Sequence, residues 1–120
     1  MNLPKINSST ELLIAIDENS LYDDLVIQLN KDFEIIGTDV NFLETEKPID
    51  LFEYLQEVIS QLLEKHFDVF LNLLYRIDIN EGVIKDIINQ MAEDTEQQIT
   101  FVVLKREWQK VWFRKHYKNQ

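Results

Sequence analysis

Thr95–Tyr117 reads TEQQITFVVLKREWQKVWFRKHY, and its periodicity decides the fold class. At 100° per residue Phe101, Leu104, Trp108, Val111 and Trp112 fall within an arc of ~100°, the apolar stripe of a helix laid on a core. Val102, Phe113 and Tyr117 form a second stripe alongside Arg106. Asp94 or Thr95 suits the N-cap, with Gln97 or Gln98 in capping-box position. The β-branched Thr100, Val102 and Val103 lower helix propensity locally. The apolar period nevertheless continues through them into the basic end, which predicts a single long helix over 95–117.

The same stretch opposes the rest of the chain in charge. Residues 105–120 carry six Lys/Arg against one acid, Glu107, and the whole chain stands at −10, which leaves residues 1–104 at a formal −15. A basic, aromatic end on an acidic body can dock on its own body, on a partner or on a polyanion.

Outward from this helix, the remaining pattern is also helical. Gly and Pro number two each and Cys is absent. So few breakers argue against an all-β fold, which needs a turn every 8–12 residues or so. The missing thiols exclude a disulfide framework and thiolate metal sites. Leu21, Leu25, Leu29, Phe33 and Ile36 recur at helical spacing, with Asn19 or Ser20 as N-cap and Gly37 as terminator. Residues 38–48 read as a polar connection. Pro48 suits a first turn, followed by a stripe of Ile49, Phe52, Leu55, Ile59, Leu62 and Leu63. Val69–Ile79 is apolar nearly all round, the pattern of a buried central helix. Asn80 caps a helix reaching Met91. Thr10–Asp17 reads as a short helix capped by Ser9 or Thr10, or as a strand; with no second strand to pair with, helix is preferred.

The expectation is an all-α single domain over 1–120 with residues 1–9 as a loose leader. It is a compact bundle of about five helices, near 20–36, 49–65, 68–79, 81–92 and 95–117, around the buried helix 68–79. The amino terminus lacks a signal-peptide pattern. Leu12–Ile16 and Phe101–Leu104 are far shorter than the ~20 apolar residues that span a bilayer. Both point to a soluble, cytoplasmic protein without a membrane role.

Sites for chemistry are sparse. A carboxylate-bridged metal bundle needs Glu-x-x-His, yet Leu63 precedes His66 and Phe113 precedes His116 at that spacing. A calcium loop from Asp78 would need Gly and Glu where Val83 and Asn89 stand. Gly37 and Gly82 are isolated, so no phosphate-cradling loop exists. Acidic neighbours such as Asp23 with Asp24 and Glu53 with Glu57 read as solvated faces. No catalytic residue, metal or cofactor is expected, and the chain is read as non-enzymatic. Arg76, set among Leu73, Leu74 and Ile77, is costly unless paired, so it is expected to snorkel or to pair with a carboxylate of a neighbouring helix, the functional alternative being an anion-binding Arg in a pocket.

The candidate binding residues are therefore Lys110, Trp112, Phe113, Arg114, Lys115 and Tyr117. Aromatics interleaved with cations have the composition of a single-strand nucleic-acid binder. The plainer reading is that Trp108 and Trp112 continue the core stripe. The cations then complement the helix C-terminal dipole and pair with the acidic body. Trp, Tyr and Arg are also hot-spot residues of protein interfaces. The leading functional expectation is an interaction or adaptor protein acting through this helix on a protein partner or a second copy. Nucleic-acid binding through the same helix is the alternative.

Two segments, Leu73–Glu81 (LLYRIDINE) and Lys105–Arg114 (KREWQKVWFR), resemble small bacterial helical proteins of uncharacterised function. The resemblance implies a compact bacterial domain and lends no catalytic or binding residues.

Overall fold

Ser8 closes the N-terminus of the first helix. Its Oγ accepts from the Glu11 N–H at 3.1 Å, while the Glu11 carboxylate accepts from the Asn7 N–H at 3.0 Å. These bonds satisfy amide donors that a helix start leaves orphaned. The computed structural model of the chain describes residues 3–43 and 47–117. Among these it holds six α-helices and no strand: α1 Ser9–Glu18, α2 Tyr22–Ile35, α3 Pro48–Lys65, α4 Phe67–Arg76, α5 Glu81–Asn89 and α6 Thr95–Tyr117. The ambiguous segment 11–16 is thus helical, and its cap lies one residue earlier than Ser9.

α1 buries Leu12, Ala15 and Ile16. Ser20, at φ 54, turns the chain into α2. Neither Asn19 nor Ser20 caps α2; Leu21 holds that place without a side-chain bond, and Asp23 and Asp24 sit in the first turn. Gly37 ends α2 at φ 90, a left-handed position that costs a Cβ-bearing residue strain. The connection that follows is less polar than its composition suggests. Asn30 clamps it, donating to the Phe42 carbonyl at 3.0 Å and accepting from the Phe42 N–H at 2.7 Å. Phe42 is thereby buried edge-on against Phe33 and Tyr54. Glu44 lies outside the described residues, as does Glu46.

α3 starts at Pro48 and buries Leu51, Phe52, Leu55, Val58, Ile59 and Leu62. The stripe is rotated from the expected one: Ile49 is exposed and Leu51 and Val58 replace it. α4 departs further. It ends at Arg76, because Asp78 adopts φ 61 and the Ile79 N–H turns back to the Leu74 carbonyl at 2.9 Å. Only Phe70, Leu73 and Leu74 are buried within it, while Phe67 and Tyr75 face outward. The helix that buries the most side chains is instead α6, which packs on α3, α2, α5 and α1 and buries eight. Length explains the exchange. At 23 residues α6 spans about 34 Å and can serve as the axis of the bundle, whereas a ten-residue α4 touches only part of it.

α5 is capped by Asn80, whose Oδ1 accepts from the Gly82 N–H at 2.7 Å. It stops at Asn89, short of the expected 92, and Met91 follows at φ 53 with 87% of its surface exposed. Leu3–Ser8 precedes α1 without helix, yet it is docked. Ile6 is buried, and its carbonyl accepts from Lys105 Nζ at 2.7 Å.

Candidate functional site

The candidate residues all lie on the second half of α6, and the structure divides them by depth. Trp112 is buried in the core. Phe113 is 38% exposed and stacks on Tyr117, ring centroids 5.6 Å apart; Tyr117 is half-buried against the core. The His116 ring stacks on Trp112 at 4.0 Å, with its Nδ1 2.8 Å from the Trp112 carbonyl. Spacings of three and four residues place these rings on one side of the helix end. The result is an aromatic cluster rooted in the core by Trp112, with Phe113 at its surface.

The cations behave differently. Lys105 donates to the Ile6 carbonyl and lies over the Phe101 ring at 5.6 Å. Arg106 donates to the Ile77 carbonyl at 2.8 Å. Arg114 donates to the Gln28 side-chain carbonyl, and Lys115 to the Asn19 carbonyl at 3.0 Å. Lys118 lies outside the described residues. The basic end thus hydrogen-bonds to its own acidic body. Arg114 and Lys115 keep exposed surface and, with Asp24 and Val111, line an open cleft of about 420 Å³ between α2 and α6.

Lys110 leads to a site the sequence reading missed. Its ammonium lies 2.9 Å from Asp32 Oδ2 and 3.5 Å from Glu107 Oε1. Arg76 Nε meets the other Asp32 oxygen at 2.9 Å, so of the alternatives open for this residue the structure shows a pair with a carboxylate of a neighbouring helix. Gln28 donates to Asp32 Oδ2 at 2.9 Å. The Asp32 and Glu107 side chains are both fully buried. Three helices, α2, α4 and α6, therefore converge on one carboxylate.

The two acids are driven in opposite directions. Burial alone would raise the Asp32 pKa. Hydrogen bonds from Glu107, Gln28, Lys110 and Arg76 outweigh it and hold Asp32 ionised, lowered to about 2. Glu107 is raised to about 9, first by burial, then by its hydrogen bond to Asp32 and that residue's negative charge; Lys110 opposes the rise. As a carboxylate, Glu107 has no hydrogen-bond donor in place at either oxygen. As a carboxylic acid it donates to Asp32 and meets its need.

Signals for these residues existed. Gln28 and Asp32 sit four apart inside the apolar row of Leu25, Leu29 and Phe33, and Glu107 stands between Leu104 and Trp108. A polar side chain on a buried face announces a partner, though not which one.

No group of three or more His, Asp or Glu among the described residues is placed to hold a metal ion. Comparison with family models, with curated proteins and with solved structures found no match.

Proposed function

We propose that the protein is a non-enzymatic interaction module that engages a protein partner through the aromatic end of α6. The observation that carries this reading is the Phe113–Tyr117 stack, which leaves the Phe113 ring 38% exposed directly beside Arg114 and Lys115 at the basic end of α6. Exposed aromatic surface with Arg at its side has the make-up of an interface hot spot. Arg114 and Lys115 border the rings, so a surface combining apolar and carboxylate groups is the complementary partner.

The alternative, phosphate contact through the same helix, has less support. Lys105, Arg106, Lys110, Arg114 and Lys115 each have a hydrogen-bond or ion-pair partner in the body. A polyanion would have to displace those contacts against the repulsion of an acidic surface.

The test is photo-crosslinking from position 115 in cells, comparing the wild type with Phe113→Ser. A discrete crosslinked protein that disappears in the folded variant is expected. Crosslinks unchanged by Phe113→Ser place the interface elsewhere. Crosslinks only to the chain itself, with a dimer in sedimentation, identify the partner as a second copy. Crosslinks lost on nuclease treatment support the nucleic-acid reading.

A further inference from the structure

Two carboxyl groups that meet inside a protein core on a single ammonium cannot both be ionised cheaply. The fixed charges around the Asp32–Glu107 pair can be enumerated by helix. α2 contributes Asp32 itself and the neutral Gln28; α4 contributes Arg76; α6 contributes Glu107 and Lys110, with Arg114 one bond further out on Gln28. The side chains that α1, α3 and α5 bury are all apolar, and the buried polar residues among those described are only Gln28, Asp32, Thr100 and Glu107. Arg76 and Lys110 both lie 2.9 Å from Asp32, whereas Glu107 is left with one contact of 3.5 Å to Lys110. Donors are thus concentrated on Asp32, and the two fully buried carboxyls are brought together on the one ammonium of Lys110.

From this arrangement we infer that Asp32 and Glu107 form a one-proton clamp: a proton bound between them joins α6 to α2, and its removal loosens the second half of α6 from the body. The proton resides on Glu107 and is hydrogen-bonded to Asp32, while Arg76, Lys110 and Gln28 hold Asp32 in place. Removing it leaves two buried carboxylates, with Arg76 engaged by Asp32 and only the shared ammonium of Lys110, at 3.5 Å, to balance Glu107. The segment nearest the break carries Trp108, Val111 and Trp112, and beyond them the Phe113–Tyr117 stack. The clamp therefore acts on the surface proposed for partner binding, although it stands whether or not that proposal does.

The direct measurement needs no variant. The Glu107 side-chain carboxyl carbon, followed by NMR in labelled protein, is expected at the chemical shift of a protonated acid at pH 7. Its titration is expected near pH 9, accompanied by a change in tryptophan fluorescence. A Glu107 carboxyl already ionised at pH 7 overturns the clamp. Glu107→Gln supplies the second arm, since its amide donates to Asp32 without needing a proton. The fluorescence transition is expected to vanish in this variant. Folding of the wild type at pH 7 is expected to take up close to one more proton per chain than folding of Glu107→Gln, read by calorimetry in buffers of different ionisation enthalpy. Equal proton uptake, or the same alkaline transition in the variant, refutes the proposal. If Glu107→Gln does not fold, the wild-type carbon titration decides alone.

Discussion

Lys110 and Asp32 are 78 positions apart in the chain, yet their charged atoms lie 2.9 Å from one another and join the last helix to the second. Asp32 is fully buried in this pair while Lys110 retains about a fifth of its side-chain surface. The carboxylate is thus the fixed member and the cations come to it. Arg76 arrives from α4 on the other oxygen. A fully buried acid with this many donors is a hub for three helices, and its removal leaves several groups without partners at once.

Asp32→Ala is therefore expected to cost about 3 kcal/mol, the lower end for breaking a buried ion pair, because Arg76 and Lys110 can still reach water. Urea unfolding followed by circular dichroism measures it. A change under about 0.5 kcal/mol, the range of ordinary surface substitutions, would show the hub to be dispensable.

The wild-type dependence of stability on pH follows from the two opposed acids. Glu107 has its pKa raised from 4.5 to about 9 on folding, so the folded chain holds a proton that the unfolded chain releases throughout that interval. Its contribution is complete below pH 4.5 and is lost as pH rises through 9, with a slope limited to about 1.4 kcal/mol per pH unit for one proton. Asp32 acts the other way. Lowered from 3.8 to about 2, it contributes stability above 3.8 that is lost as pH falls through 2. Maximum stability is expected in mildly acidic solution, with a decline toward alkaline pH visible in denaturation midpoints. Stability that rises steadily from pH 5 to 9 contradicts this.

Met91 is strained without evident need. It has φ 53 and is 87% exposed, so its side chain contributes little packing. Met91→Gly is expected to raise stability by about 0.5–1 kcal/mol by relieving the left-handed backbone, net of the extra freedom glycine gives the unfolded chain. A lower thermal midpoint in the variant contradicts the strain argument.

Asn30 holds the connection between α2 and α3 through two bonds to one residue. Asn30→Ala is expected to cost about 1–3 kcal/mol, since both backbone groups of Phe42 lose their partner at the edge of the core. Hydrogen exchange of the Phe42 amide should rise in parallel. An unchanged exchange rate would show that the aromatic contacts with Phe33 and Tyr54 hold the segment by themselves.

Much of the fold was legible locally. Pro48 starts a helix, Gly37 ends one and Asn80 caps one, because each acts on backbone groups within a few residues of itself. The span of α6 followed from the periodicity of Phe101, Leu104, Trp108 and Val111. The rank of the helices was not legible. Val69–Ile79 is more apolar than α6, yet Tyr75 is exposed, because burial depends on which neighbours reach a face and α4 lies beside the axis of the bundle. The candidate residues were legible as a set on one helix, but not their depths, with Trp112 in the core and Phe113 at the surface.

What the chain determined by itself is what short-range forces decide: an all-helical fold, the helix starts and stops set by caps and turns, and a basic aromatic end opposed to an acidic body. What only the tertiary structure decided is where that opposition is resolved. The row Gln28–Asp32 and the isolated Glu107 are separated by most of the chain, and each is an ordinary polar residue in its own helix. Packing α2, α4 and α6 together removes water from between them. At low dielectric the same carboxylates and cations then become a hub that holds the last helix to the body.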